Sequence, residues 1–160
     1  PPERSSYTSD TPFPLMPKQR FQFASAVHLL FIQNENILLL SRRNTGYEDG
    51  SFGVPAGHLD GGETVLSAAV REAKEETGLS LRLENVHLAH VMHWRNESEE
   101  YIYFFVRVDA WEGVPVNAEP QKCAELRWFP LDGLPPNVIP SVRAAIHSVI
   151  RGELYSDFGF

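Results

Sequence analysis

Residues 57–79 read GHLDGGETVLSAAVREAKEETGL, and this stretch carries the strongest structural signal in the chain. Its second half has apolar residues at helical spacing on one side, so we predict a helix over residues 64–77. Gly78 follows at the position where a glycine commonly ends a helix. The glycines ahead of the helix predict a loop whose backbone can approach a ligand closely.

Three glutamates of the predicted helix share one face, because Glu72, Glu75 and Glu76 stand at i, i+3 and i+4. Like charges at these spacings repel one another. Arg71 can reach Glu75, but one guanidinium does not neutralise three carboxylates. A hard divalent cation such as Mg²⁺ or Mn²⁺ would do so, since these ions prefer oxygen ligands. The plainer alternative is a solvated acidic helix face.

The flanking sequence consists of short apolar strands and one further helix. Strands are predicted at 23–32, 37–43, 52–54, 86–91, 101–110 and 125–129. A closing helix is predicted over 141–151. This order is typical of an α/β (α+β) sandwich of layers with a mixed sheet. We expect one domain over residues 21–152, between a flexible Pro-rich arm (1–20) and a loose C-terminal tail (153–160).

Composition narrows the classes of partner. The chain has 160 residues and a net charge of −7, which argues against a surface for a nucleic acid polymer. No apolar run approaches the roughly 20 residues of a membrane-spanning helix, so we expect no membrane partner. Cys123 is the only cysteine, which excludes an intrachain disulfide and suits a reducing compartment. We therefore expect a cytoplasmic protein.

The complete pattern of residues 57–79 resembles the Nudix box, G-x5-E-x7-R-E-U-x-E-E-x-G-U, where U is apolar. Gly57, Glu63, Arg71-Glu72, Glu75-Glu76 and Gly78 occupy its fixed positions. The resemblance, to MutT-type members in particular, implies an α/β/α sandwich around a mixed sheet. It also implies Mg²⁺-dependent hydrolysis, with Mn²⁺ as a possible substitute, of a nucleoside diphosphate linked to some moiety X.

Carried over residue by residue, the resemblance implies roles for the box. Glu72, Glu75 and Glu76 resemble the metal-binding carboxylates, and the Gly57 carbonyl resembles a further ligand. Arg71 resembles the residue that orients the carboxylates. Glu63 resembles the glutamate that tethers the loop to the helix or binds the metal indirectly.

The general base stays open between a box glutamate, Glu72 or Glu76, and a loop glutamate after the box. Glu119 and Glu125 are the candidates outside the box. We favour Glu119, because residues 117–120 read as a loop. Glu125 precedes an apolar alternation and is expected at a strand edge.

Substrate contacts are predicted outside the box. Arg43 ends a strand in a place similar to that of a substrate-contacting arginine in MutT-type enzymes, and arginine suits bidentate phosphate recognition. Phe52 and Trp94 are candidates for stacking on a base, although aromatic side chains more often belong to the core. A homodimer is possible, as in similar proteins.

The expected substrate is a small nucleotide, and a nucleoside triphosphate cleaved to the monophosphate and pyrophosphate is our first choice. ADP-ribose, a nucleotide sugar or a dinucleotide polyphosphate are alternatives, because the box recognises the diphosphate and not X. A different class of function is a non-catalytic Nudix module that senses nucleotides. The presence of all three box carboxylates on the predicted helix disfavours it.

Overall fold

A computed structural model of the protein describes residues 20–160. The Pro-rich arm predicted over residues 1–20 lies outside the described residues, except for its last position. Residues 20–160 form eight strands: β1 (Ala24–Gln33), β2 (Asn36–Arg42), β3 (Phe52–Gly53), β4 (Ala56–His58), β5 (Val86–Arg95), β6 (Glu100–Val108), β7 (Cys123–Pro130) and β8 (Tyr155–Phe158). The helices are α1 (Val65–Thr77), α2 (Pro140–Ile150) and a short 3-10 helix (Leu83–Asn85).

Strand β1 is the hub of a mixed sheet. It runs parallel to β6 and antiparallel to β4. Beyond β6, the sheet continues antiparallel to β5 and then parallel to β8. On the other side, β2 pairs antiparallel with the end of β1 and with β3 and β7. The predicted mixed sheet is confirmed.

The two helices cover opposite faces of this sheet and define two hydrophobic cores. Successive residues of β1 alternate between them: Leu29 and Phe31 pack with the apolar side of α1, whereas Leu30 packs with the apolar side of α2. All three side chains are fully buried. This confirms the predicted α/β/α sandwich. No helix within residues 20–160 is long and apolar enough to cross a membrane.

Helix α1 has the ends that the sequence predicts. Thr64 caps its start, and the Thr64 hydroxyl accepts a hydrogen bond from the Ser67 N–H at 3.1 Å. At its end, Gly78 adopts φ 72°, and its N–H donates to the Lys74 carbonyl at 3.1 Å. The Thr64 cap therefore determines where α1 begins. The start of the helix in turn determines the direction in which each of its side chains points.

Strand β4 occupies residues that we predicted as part of a glycine-rich loop. It pairs with β1 through Val27 opposite Gly57. Three residues that include a glycine carry no alternating pattern, so the strand could not be predicted from local sequence. Its consequence is that the start of the box is held by a sheet and not by a flexible loop.

The C-terminal tail, expected to be loose, instead forms β8 along the edge of β5. Buried His90 of β5 holds the tail in place through two contacts. One ring nitrogen lies 2.8 Å from the Glu153 carbonyl, and the other lies 2.8 Å from the Ser156 hydroxyl. These contacts link residues more than 60 positions apart in sequence, so they left no local signal in the tail itself.

We predict that Glu153→Gln lowers the melting temperature at pH 7. Arg151 and the Ser148 hydroxyl, which donates at 2.6 Å, lower the pKa of Glu153 from 4.5 to about 2. Because the pKa is lower in the folded state, this stabilisation is present above about pH 4.5 and is lost as the pH falls towards 2. Thermal unfolding between pH 7 and 2.5 tests it, with exposed Glu97→Gln as the control. Equal melting temperatures of wild type and Glu153→Gln at pH 7 would contradict it.

Candidate active site

A cleft of about 690 Å³ opens between α1, β4 and the ends of β1 and β2. Its volume lies within the range of pockets that hold small ligands. Two kinds of side chain line it. The acidic set comprises Asp60, Glu72, Glu75, Glu76, Glu99 and Glu119. The aromatic set comprises His28, Tyr47, His58, Trp94, Tyr101 and Tyr103. One cavity thus offers oxygen ligands for a cation and flat surfaces for a ring.

Arg71 gathers the carboxylates of the box. Its Nη1 donates to Glu72 at 2.6 Å and to Glu75 at 3.3 Å, and its Nη2 donates to Glu63 at 2.7 Å. Hydrogen bonds to Glu63, and then to Glu72, raise the pKa of Arg71, so it stays charged. The guanidinium therefore holds three carboxylates in fixed positions, in agreement with the orienting role that the resemblance implies.

Glu63 joins the loop to the helix. Its Oε1 accepts a hydrogen bond from the Asp60 N–H at 2.7 Å, while both its oxygens accept from Arg71. These hydrogen bonds, that from Arg71 first, lower the pKa of Glu63. Of the two roles implied for this residue, a tether between loop and helix or indirect binding of the metal, the geometry favours the tether.

Glu72 is 8% exposed and lies against the backbone of Gly57. A Cβ atom at position 57 would overlap the Glu72 carboxylate. Only glycine allows this approach, which brings the Gly57 backbone and the carboxylate together as the resemblance requires. Burial raises the pKa of Glu72, and Arg71 opposes that rise.

Glu76 points to the same place from the next turn of α1. Its Oε2 accepts a hydrogen bond from the Ala56 N–H at 2.8 Å. Burial raises the pKa of Glu76 to about 8, and the nearby carboxylates of Glu72 and Glu119 add to the rise. A bound cation would offset both the burial and the repulsion.

The carboxylates are not gathered for metal binding in this arrangement. Within residues 20–160, no group of three His, Cys, Asp or Glu side chains is placed to hold a metal ion. Arg71 takes up Glu72 and Glu75, and Glu76 is engaged by Ala56. The donor set is nevertheless all oxygen, which is the chemistry that Mg²⁺ and Mn²⁺ prefer. Side-chain rotation of these glutamates would be needed to complete a site.

The loop between β6 and β7 brings Glu119 to the cleft. Backbone hydrogen bonds fix this loop on the end of α1: Val116 N–H donates to Thr77 O at 3.0 Å, and Ala118 N–H donates to Glu76 O at 3.2 Å. Glu119 then lines the cleft and accepts a hydrogen bond from Lys122 at 3.0 Å. Neither residue is part of the box.

Glu125, the other candidate base outside the box, lies elsewhere. It belongs to β7, opposite Ser41 of β2, and pairs with Arg127 at 3.1 Å. It is absent from the residues that line the cleft. Between the two loop candidates, the geometry favours Glu119.

Of the two neighbouring arginines Arg42 and Arg43, it is Arg42 that lines the cleft and not the predicted Arg43. Neighbouring residues of a strand point to opposite faces of the sheet, so a prediction that is wrong by one residue selects a side chain on the wrong face. The pairing of β2 with β7 also shifts register between Ser41 and Arg42, which no sequence pattern reveals. Arg42 is held by the Tyr47 carbonyl at 2.8 Å, whereas Arg43 is exposed.

Phe52 was predicted to contact substrate, and the structure corrects this. The side chain is 7% exposed and packs in the α2-side core, edge-on to Phe129 at 4.9 Å. It does not line the cleft, because its apolar ring packs inside this core. Trp94 does line the cleft and stays a candidate for substrate contact.

Several cleft residues were missed by the sequence analysis: His28, Arg42, Tyr47, Tyr101, Tyr103 and Lys122. His28 left one usable signal, since it is a polar residue inside an otherwise apolar strand. Burial, with Arg42 and His58 nearby, lowers the pKa of His28 to about 3. The imidazole is therefore uncharged at neutral pH.

Comparison with known proteins agrees with this geometry. Residues 22–149 match the NUDIX domain. The chain belongs to the Nudix family. This Nudix chain is 29% identical to a MutT NUDIX hydrolase from Burkholderia pseudomallei, with a TM-score of 0.73 over 79% of this chain and 98% of that one.

Two curated relatives are similar over shorter parts of their length. An ADP-ribose pyrophosphatase of Methanocaldococcus jannaschii is 41% identical over 63 residues, 39% of this chain and 37% of the relative. An NAD-capped RNA hydrolase of Vibrio parahaemolyticus is 28% identical over 132 residues, 81% of this chain and 48% of the relative. The Nudix chain thus spans less than half the length of both.

Proposed function

We propose that this Nudix protein is a divalent-metal-dependent hydrolase that splits the phosphoric anhydride of a nucleoside diphosphate linked to X. The observation that carries the proposal is that Glu72 lies against the Gly57 backbone and Glu76 accepts from the Ala56 N–H, in a cleft that also has an aromatic wall. The alternative of a sensing module lacks such support, because the three helix carboxylates of the box, Glu72, Glu75 and Glu76, all line the cleft.

Glu72, Glu75, Glu76 and the Gly57 carbonyl are the groups that would hold Mg²⁺ or Mn²⁺. When bound, such an ion polarises phosphoryl oxygens and activates water for in-line attack. Arg71 holds two of these carboxylates beside the cleft, and rotation of their side chains would bring them to the ion. The acidic side chains of the cleft would repel a nucleotide, and a bound ion would offset their charge.

The remaining steps fall to residues outside the box. Glu119 lies in the cleft beside the box glutamates and accepts the proton of the attacking water. Lys122 donates a hydrogen bond to the Glu119 carboxylate at 3.0 Å and so helps to fix its position. Arg42 replaces Arg43 as the proposed phosphate contact, because Arg42 lines the cleft. Its guanidinium is already oriented by the Tyr47 carbonyl.

We expect Glu119→Gln to lower kcat by about 10²-fold to 10⁴-fold, the usual contribution of a general base. The KM should change far less, because the substrate phosphates bind through the metal and the basic residues. Initial rates of pyrophosphate release at saturating Mg²⁺ measure this.

Glu125→Gln is the matched control, since that carboxylate lies outside the cleft, and its rate should equal that of wild type. A kcat loss in Glu125→Gln with none in Glu119→Gln would reverse the assignment. A loss in neither would return the role of base to a box glutamate.

A nucleoside triphosphate remains our first candidate substrate. Its support is the 29% identical structure from Burkholderia pseudomallei, which is named a MutT NUDIX hydrolase and is matched over 98% of its length. ADP-ribose is the second candidate, because the 41% identical relative is named an ADP-ribose pyrophosphatase. Both substrates present the same diphosphate to the box and differ only in X.

A substrate panel decides between them. Release of pyrophosphate, phosphate or nucleoside monophosphate is measured for canonical and oxidised nucleoside triphosphates, ADP-ribose, nucleotide sugars and dinucleotide polyphosphates. Each is assayed with Mg²⁺, with Mn²⁺ and with EDTA. A preference for ADP-ribose would overturn the triphosphate choice and keep the hydrolase. Metal-independent turnover would overturn the proposed chemistry.

The proposal keeps small nucleotides as substrates and excludes polymers, on the grounds of the net charge of −7. NAD-capped RNA belongs in the panel because one relative is named for its hydrolysis. We also propose a reducing, cytoplasmic setting on the basis of the single buried Cys123, and a homodimer as in similar proteins.

A further inference from the structure

His28 lies where the cleft meets a smaller recess of about 40 Å³, and it lines both. We propose that His28 recognises the nucleobase of the substrate through a hydrogen bond to the base edge, and so determines which nucleotides bind. This inference rests on the proposed function, because it assigns part of X to a named side chain. It assigns His28 no part in the chemistry of the anhydride.

The imidazole has hydrogen-bonding capacity that the fold does not use. Its Nδ1 is buried and has no hydrogen-bond partner within residues 20–160. Buried polar atoms are nearly always paired, and an unpaired one is costly. Within residues 20–160, two buried side-chain atoms lack a partner, His28 Nδ1 and Asn117 Oδ1. Of these two residues only His28 lines the cleft, where the substrate can supply a partner.

The surroundings of His28 select a flat partner. Its ring stacks on Phe105, with centroids 4.7 Å apart and planes 28° apart, and lies 4.6 Å from the Tyr103 ring. Tyr103 in turn lies 5.5 Å from Trp94, which also lines the cleft. A planar ring can pack against these aromatic faces and still present its edge to the imidazole. A ribose cannot offer such a face.

His28 is the uncharged member of this wall of the cleft, whereas Arg42, the proposed phosphate contact, lines the same recess. The anhydride belongs with the box carboxylates and their cation. An uncharged imidazole offers one donor and one acceptor and no attraction for an anion, and the low pKa of His28 keeps it uncharged. A nucleobase edge carries neutral donors and acceptors of the same kind. The aromatic set, which includes His28, therefore fits a base and not a sugar, and Arg42 beside it is the proposed phosphate contact.

The test compares His28→Phe, which keeps a flat ring and removes both nitrogens, with His28→Asn, which keeps a neutral donor and acceptor. His87→Phe, on the exposed end of β5, is the control. Affinities for ATP, GTP, ADP-ribose and base-free ribose 5-triphosphate are measured by calorimetry, with Ca²⁺ in place of Mg²⁺. The KM and kcat values are measured with Mg²⁺.

We expect His28→Phe to weaken binding of the preferred nucleotide on the order of tenfold or more, since a buried partner is left unpaired. The KM should rise in parallel while kcat changes little. Binding of ribose 5-triphosphate should be unaffected. His28→Asn should recover most of the loss, and His87→Phe should behave like wild type.

Equal affinity of wild type and His28→Phe for every nucleotide would overturn the inference. So would an equal loss for ribose 5-triphosphate, which would show a general structural effect, and so would failure of wild type to bind any of the four probes. Base-dependent binding without turnover would support the role of His28 and overturn the proposed hydrolase. The two failures are therefore distinguishable.

Discussion

Glu76→Gln is expected to lower kcat by more than about a hundredfold while the fold stays intact. Mutation of a residue that only supports a metal ligand typically lowers metal affinity or activity tenfold to a hundredfold. The loss should be larger for Glu76, which is proposed as a ligand itself. Glutamine keeps the shape of the side chain and can still accept the Ala56 N–H, now 2.8 Å from Glu76. What it removes is the negative charge that the cation requires.

Stability measurements distinguish a loss of metal binding in Glu76→Gln from a folding defect. Removal of one charge from a repelling cluster should leave the metal-free protein at least as stable as wild type, because burial and the neighbouring carboxylates disfavour ionised Glu76. The rise in melting temperature that Mg²⁺ gives wild type should shrink or disappear in the variant.

Thermal unfolding with Mg²⁺ and with EDTA tests this, with exposed Glu112→Gln as the control. Unchanged kcat in a Glu76→Gln protein that still responds to Mg²⁺ would refute the proposed metal site.

Arg71→Lys is expected to lower kcat by about tenfold to a hundredfold and to destabilise the protein as well. Lysine keeps the charge, but a single ammonium cannot reproduce the fork that now bonds Glu63, Glu72 and Glu75. The Arg71 side chain is 28% exposed, so water screens part of the loss. We expect a decrease of about 1–3 kcal/mol in the free energy of unfolding, below the cost of breaking a fully buried pair.

Urea unfolding and steady-state rates, measured on the same preparations, check both effects. Arg82→Lys is the matched control, because Arg82 is exposed and its single ion pair spans 3.6 Å. It should change neither quantity. Wild-type kcat in a destabilised Arg71→Lys protein would restrict Arg71 to a structural role and remove it from the orientation of the carboxylates.

Much of the fold could be predicted because its signals are local. Helix α1 is predicted by its apolar periodicity, by Thr64 at its start and by Gly78 at its end, and the structure has both caps. Strands β4 and β8 gave no such signal. Their existence depends on a partner strand distant in sequence, and β8 depends in addition on buried His90, which binds it.

The candidate site divides in the same way. The sequence by itself determined the box, because a helix places Glu72, Glu75 and Glu76 on one face wherever that helix lies. Which residues outside the box join them was decided by the tertiary structure. Arg42 in place of Arg43 follows from the register of β2, and the assignment of Phe52 to the core follows from the packing of α2. His28 acquires its place only when β1, β6 and the cleft come together, since burial and an unused hydrogen bond are properties of the packed sheet and not of any one strand.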